Sequence, residues 1–182
     1  MELALDISLD PTLGCGQAHR WRKIGDSWEG VIGNDVISLM QTDGGVSVDG
    51  SDDASSILHY LGADDDLDGI ISEISEKDPY VASLASRCPG LRILRQEPWE
   101  CTATYLLATN ANVKRIASMV ESVCVTFGRD LGGRSSFPTP KEILDKRESI
   151  GSCRLGFREP RLIELAENVE NGEHDPYSLC GL

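Results

Sequence analysis

An α+β fold is the class this sequence predicts, with an antiparallel sheet domain plus helices over residues 1–90 and an all-helical part over residues 91–182. Three observations carry the prediction. Short apolar stretches with strand-like alternation, separated by Gly, Asn and Asp pairs, fill residues 3–48. No long crossover lies between them, which disfavours a parallel sheet. From Pro98 onward the apolar residues recur at helical spacing.

Leu3 to Leu9 alternates apolar and other residues and reads as a first strand, broken by Gly14-Cys15-Gly16. Trp21 to Lys23 starts a second, turned at Gly25-Asp26. Trp28 to Ile32 and Val36 to Gln41 flank Gly33-Asn34-Asp35, and Val46 and Val48 follow Asp43-Gly44-Gly45. Ala54 to Leu61 is a short helix ending at Gly62, and Leu67, Ile70, Ile71 and Ile74 define the next. Asp78-Pro79 supplies an N-cap and an N1 proline for a helix running to Cys88-Pro89-Gly90, a domain boundary. These acidic helices read as a solvated face. Pro98 opens a helix through Tyr105 to Ala108, interrupted at Asn110-Ala111-Asn112. Val113, Ile116, Met119, Val120, Val123 and Phe127 give a period near 3.6. After a polar loop, Thr139-Pro140-Lys141-Glu142 is a capping box. Leu155 to Arg158 is a turn before a last helix through Leu162 to Val169.

The 182 residues carry 30 acids against 17 bases, a formal charge of −13. A uniformly acidic surface would repel nucleic acid and anionic membrane. The charge is not uniform. Residues 1–90 hold 17 acids and 5 bases, a net of −12, whereas residues 101–161 hold 6 acids and 10 bases, a net of +4. A local basic stretch on an acidic protein is where an anionic ligand would sit. The 12 Arg, 5 Lys and 16 Asp resemble the usage of proteins that work in concentrated salt, where charges are screened within about 3 Å. An ordinary acidic cytosolic protein is the alternative. No apolar run approaches a bilayer span, and the start has no basic n-region, so a cytoplasmic protein without a membrane segment is expected. The six cysteines and three histidines have no metal-ligand spacing, so buried free thiols and no metal site are expected.

Three clusters carry candidate chemistry. In Thr12 to Trp21, glycines allow close backbone approach while Gln17, Arg20 and Trp21 offer an amide, a guanidinium and a flat ring. The alternative is a strand connection in which Arg20 snorkels and Trp21 fills the core. Asn110, Asn112 and Arg115 would place amides and a guanidinium at one helix junction, able to bond base edges and phosphates, although Asn112 is also explained as a cap. Arg154, Phe157, Arg158 and Arg161 form the third; Phe157 is either core or an exposed wedge between bases.

Taken in order, these residues resemble the 8-oxoguanine DNA glycosylase family of the helix-hairpin-helix glycosylase superfamily. The resemblance rests on Thr12-Leu13 with Gly16-Gln17-x-x-Arg20-Trp21, on Leu94 to Glu100, on Asn110-x-Asn112 with Arg115, and on Leu155-Gly156-Phe157-Arg158. It implies a sheet domain of TATA-binding-protein-like topology followed by a larger helical domain, of which residues 91–182 would be the first part. It also implies base excision repair, in which duplex DNA is bent and the damaged guanine flipped from the stack. The implied partner is double-stranded DNA with oxidised guanine opposite cytosine, and no cofactor is implied. Gly16 and Gln17 would recognise the lesion, the Gly16 carbonyl accepting the N7–H that only oxidised guanine carries. Asn110 would fill the vacated space, Arg115 and Arg158 would contact the orphaned cytosine, and Phe157 would wedge beside it, with Asn112 and Arg154 completing the DNA-binding set.

The family's nucleophilic lysine stands on a helix-hairpin-helix followed by an aspartate, and acts through a Schiff base. Lys23, Lys77, Lys114, Lys141 and Lys146 have no such context, so no catalytic residue is assigned and the chain is expected to stop short of that element. Two readings follow: a glycosylase/AP lyase portion inactive alone, or a non-catalytic damaged-DNA-binding or scaffold remnant. A complete protein would be monomeric. A shortened one would leave the apolar face from Val113 to Phe127 partly uncovered and prone to self-association.

Overall fold

The computed structural model describes residues 1–179. The chain divides into two compact units, between Arg95 and Gln96, five residues past Gly90.

The first unit is built on one five-stranded antiparallel sheet in the order β1-β5-β4-β3-β2, with β1 Glu2–Ala4, β2 Arg22–Ile24, β3 Ser27–Ile32, β4 Asp35–Thr42 and β5 Gly45–Asp49. Strands β2 to β5 form the meander that the turn residues predict. The first strand joins the free edge of the last, with Leu3 opposite Val46. The period of two buries Ile37 and Leu39 of β4 and Val46 and Val48 of β5. Leu3, Ile7, Leu13, Trp21, Ile57, Leu61 and Leu94 complete this core. Gly30 of β3 is fixed by packing: a Cβ there would lie 2.4 Å from the Trp21 ring. The Trp21 indole N–H donates to the Tyr60 hydroxyl at 2.9 Å.

The strand expected over Leu3 to Leu9 ends at Ala4, and Leu9–Gly14 forms a short helix α1 instead. The chain leaves the sheet because its polar groups find partners elsewhere: the Ser8 N–H donates to the Gly90 carbonyl at 2.8 Å and the Leu9 N–H to Gln41 Oε1 at 2.9 Å. Helices α2 Ala54–Tyr60, α3 Leu67–Lys77 and α4 Pro79–Arg87 follow, and the Asp53, Asp66 and Asp78 carboxylates cap them. Of the strand-connection reading, Trp21 does fill the core, but Arg20 is buried and does not snorkel.

The second unit is helical: α5 Pro98–Ala108, α6 Val113–Phe127, α7 Pro140–Asp145 and α8 Glu159–Glu170, with 3-10 turns at Arg147–Cys153, Gly156–Arg158 and Pro176–Leu179. The Thr139–Glu142 capping box is formed. The apolar face of α6 is covered, contrary to expectation. Ile116, Met119, Val120, Val123 and Phe127 are buried with Trp99, Leu107, Ile143, Leu155 and Leu162, because α5, α7, α8 and the 3-10 turns already close this core; only Val113 and Val125 stand exposed.

All five described cysteines are free. Cys124 and Cys153 are buried, but Cys15, Cys88 and Cys101 are exposed, correcting the expectation of buried thiols; Cys180 lies outside the described residues. No helix among the described residues is long and apolar enough to cross a membrane.

Candidate nucleic-acid interface

Two loops of the second unit meet at one rim. The first joins α5 to α6. Its Asn110 is left-handed at φ +53°, a conformation asparagine tolerates better than most residues. Asn112 caps α6, its Oδ1 accepting the Arg115 N–H at 2.9 Å. The second loop follows the 3-10 turn at Arg147–Cys153. Its Arg154 is also left-handed, at φ +52°. These are the two non-glycine residues with positive φ among the described residues. Both are held by guanidinium groups from neighbouring segments.

Arg115 Nη2 donates to the Arg154 carbonyl at 2.5 Å. Arg158 is only 7% exposed. Its Nε donates to the Thr109 carbonyl at 3.1 Å, its Nη1 to that of Leu155 at 3.1 Å, and its Nη2 to that of Asn110 at 3.3 Å and again to Thr109. The guanidinium therefore ties the two loops together through backbone oxygens, using the fixed fork that a lysine lacks.

Above this brace Phe157 is 51% exposed, so its open choice between core and surface resolves to surface. The Arg158 Cζ lies 4.3 Å and the Arg161 Cζ 5.7 Å from its ring centroid. Asn110, Asn112, Lys114, Arg115 and Arg154 are exposed around it. Residues 109–115 and 154–161 hold five cations and a single acid, Glu159. The rim thus offers amides, guanidinium groups and a flat apolar ring on a positive background, the inventory for phosphate contact and base stacking.

Gly16 and Gln17 lie in the first unit. Gly16 follows α1 at φ +87°, where a side chain would be strained. Gln17 anchors the loop: Nε2 donates to the carbonyls of Thr12 at 2.8 Å and Arg92 at 2.9 Å, and Oε1 accepts the Leu94 N–H at 2.9 Å. Thr12 Oγ1 accepts the Arg92 N–H at 3.2 Å. The side chains of this motif hold the loop that presents the Gly16 backbone. Beside it, half-buried His19 has no hydrogen-bond partner for Nδ1 among the described residues, and burial lowers its pKa.

Sequence reasoning missed Arg92, also 7% exposed. Its Nε donates to the Asp6 carbonyl at 2.7 Å and its Nη1 to those of Gly62 at 2.6 Å and Asp65 at 3.4 Å. It missed the Thr109 carbonyl as well. Neither leaves a signal, because backbone acceptors exist at every residue.

Comparisons with known proteins point the same way. The family model of the 8-oxoguanine DNA glycosylase N-terminal domain matches residues 3–102. The chain is 34% identical over 141 residues to N-glycosylase/DNA lyase OGG1 of Arabidopsis thaliana, an alignment covering 72% of this chain and 38% of that protein. It is 36% identical over 89 residues to the N-glycosylase/DNA lyase of Saccharomyces cerevisiae, covering 45% of this chain and 24% of that one. The chain thus spans well under half the length of these relatives. Among solved structures, MBOgg1 in complex with a low-affinity DNA ligand matches with a TM-score of 0.86 at 27% identity, over 94% of this chain and 62% of that one. The Clostridium acetobutylicum 8-oxoguanine glycosylase/lyase, in complex with double-stranded DNA containing cytosine opposite 8-oxoG, shares the fold with a TM-score of 0.89 at 21% identity, over 98% and 64%. With more than half of its residues under that family's N-terminal model, and with the sheet-then-helix order seen in both structures, this chain belongs to the 8-oxoguanine DNA glycosylase family.

Proposed function

We propose that this chain recognises duplex DNA carrying oxidised guanine opposite cytosine, as the lesion-reading part of a base-excision glycosylase/AP lyase. The observation that carries this reading is the braced rim of Asn110, Arg115, Arg154, Phe157 and Arg158. Its braced backbone is prepaid order. A preorganised rim can hold an opened duplex without first freezing its own loops. In this reading Phe157 enters beside the estranged cytosine, and Asn110 occupies the space the flipped base leaves. Arg115 supplies donors to the cytosine edge, with Asn112 and Arg154 at the flanking backbone, whereas Arg158, buried and bonded to backbone carbonyls, holds the rim in place of the base contact expected of it. The Gly16 carbonyl accepts the N7–H of oxidised guanine, and an undamaged guanine would face it with a lone pair instead.

These residues supply binding rather than chemistry. A Schiff-base lysine must lose its proton near neutral pH, which burial or a neighbouring cation achieves. All five lysines here are exposed. Lys23, Lys77 and Lys141 are engaged in ion pairs with Asp10, Glu73 and Asp145. The 182-residue polypeptide alone should therefore bind without cleaving.

The test is an anisotropy titration of this polypeptide against 8-oxoguanine:cytosine and guanine:cytosine duplexes at several salt concentrations, with borohydride trapping alongside. Lesion-selective binding without a trapped adduct is expected. Equal affinity for both duplexes would contradict lesion reading, and a trapped adduct would contradict the absence of a nucleophile.

A further inference from the structure

Helices α3 and α4 contain no buried residue, although every other α-helix among the described residues buries at least one. They are not simply polar. Ile70 is 47% and Tyr80 71% exposed, and Ile74 and Leu84 are exposed as well. Between the two helices and the segment after them lies a cavity of about 360 Å³, with apolar walls from Leu67, Ile71, Ala82, Ala85 and Leu91. The exposed carboxylates Asp6 and Asp68 also line it. Residues 64–78 hold seven acids and one base, Lys77, which Glu73 engages.

A face whose only task was hydration in salt would carry the acids without an apolar cavity between its helices. A face whose only task was packing would bury the apolar residues. The two features together match a ligand that is apolar on one side and cationic on the other. The same negative charge repels DNA and anionic lipid. We propose that the α3–α4 hairpin with residues 88–91 is a docking surface for a basic amphipathic segment of a partner protein. Its apolar side chains would enter the cavity between the helices, and its lysines or arginines would meet Asp6, Asp68 and the further carboxylates of residues 64–78, Glu76 among them. The surface lies wholly in the first unit and shares no residue with the rim of the second, so it serves recruitment rather than lesion reading.

The test uses the whole chain and no DNA, so it stands or falls apart from the proposed function. A labelled amphipathic helix built only of leucine and lysine is titrated by fluorescence anisotropy, beside a scrambled peptide of the same composition. The amphipathic peptide should bind and the scrambled one should bind at least about tenfold more weakly, the ratio expected when apolar anchors lose their pocket. Ile71→Ser with Leu91→Ser, both in the cavity wall, should weaken binding by a similar factor. Asp68→Lys with Glu76→Lys should lower both the affinity and its salt dependence, and this second variant decides the matter if the first unfolds the hairpin. No binding by the amphipathic peptide, equal binding of both peptides, or no response to either variant would overturn the proposal. So would sedimentation showing a dimer that the apolar variant dissociates, since a second copy would then be the occupant.

Discussion

Arg92 in the first unit and Arg158 in the second are each 7% exposed, and each directs its guanidinium at backbone carbonyls with no carboxylate partner among the described residues. What surrounds them differs. Arg92 closes the back of the first unit, joining the segment after β1 to the turn before α3, and Gln17 spends its amide on the same framework. Arg158 lies directly beneath exposed residues: its partners are the two loops that carry Asn110 and Phe157. A buried arginine is costly unless its donors are satisfied. The first unit gains internal order from it. The second gains a rigid rim that projects polar and aromatic groups outward.

The largest expected effect follows from removing these braces. Arg92→Ala strands the buried Gly62 carbonyl, removes the part-buried bonds to Asp6 and Asp65, and should destabilise the first unit by about 3 kcal/mol, at the usual cost of about 1–3 kcal/mol per unpaired buried group. Arg158→Ala should cost the second unit about 2 kcal/mol on the same grounds. Each unit has its own reporter for denaturant unfolding, Trp21 and Trp28 in the first and Trp99 in the second. Lysine should restore neither, because it lacks the fork. Full rescue by lysine at either site would break the comparison.

A smaller effect separates conformation from chemistry at the rim. Asn110→Ala should cost about 1 kcal/mol of second-unit stability through its left-handed backbone, whereas Asn110→Gly should cost almost none. If the amide itself touches DNA, both variants lose DNA affinity alike. A glycine variant that binds like wild type would reduce Asn110 to a turn former.

The smallest effect is a pH dependence confined to the first unit. Burial disfavours the charged form of His19, so its folded pKa lies below the ordinary 6.5. The unfolded chain then binds the proton more readily, and first-unit stability falls as pH drops through about 6.5. His19→Gln should flatten that fall. Asp10 has the same sign in a lower range: hydrogen bonds from Lys23 and Trp28 hold its pKa down, so its contribution is present above the ordinary carboxylate range and lost only in stronger acid. Equal slopes in wild type and His19→Gln near neutral pH would remove His19 from the account.

Much of the framework was legible in the sequence. The Gly25, Gly33-Asn34 and Asp43-Gly44 turns set the strands β2 to β5, and Asp78, Asn112 and Thr139 marked three helix starts through their side-chain caps. Helix α1 was hidden because Leu3 to Leu9 alternates like a strand, while Ser8 and Leu9 find their hydrogen-bond partners at Gly90 and Gln41, far along the chain. The 3-10 turn at Arg147–Cys153 left no periodic signal. At the site, residue types pointed to Asn110, Arg115, Phe157 and Arg158. That Phe157 projects while Arg158 is buried beside it depends on tertiary packing. The apolar face of α6 was misjudged for a similar reason, since its covering comes from non-adjacent segments.

The central claim is that the braced rim of the second unit opens DNA beside the lesion. It is tested most directly by the fluorescence of 2-aminopurine placed next to 8-oxoguanine in a duplex with cytosine opposite the lesion. Binding of the wild-type chain should raise the emission as the stack opens. Phe157→Ala should still bind the duplex yet leave the emission low, since Phe157 is exposed and its loss spares the fold. An equal rise with wild type and Phe157→Ala, or no rise with saturating wild-type chain, would contradict the account.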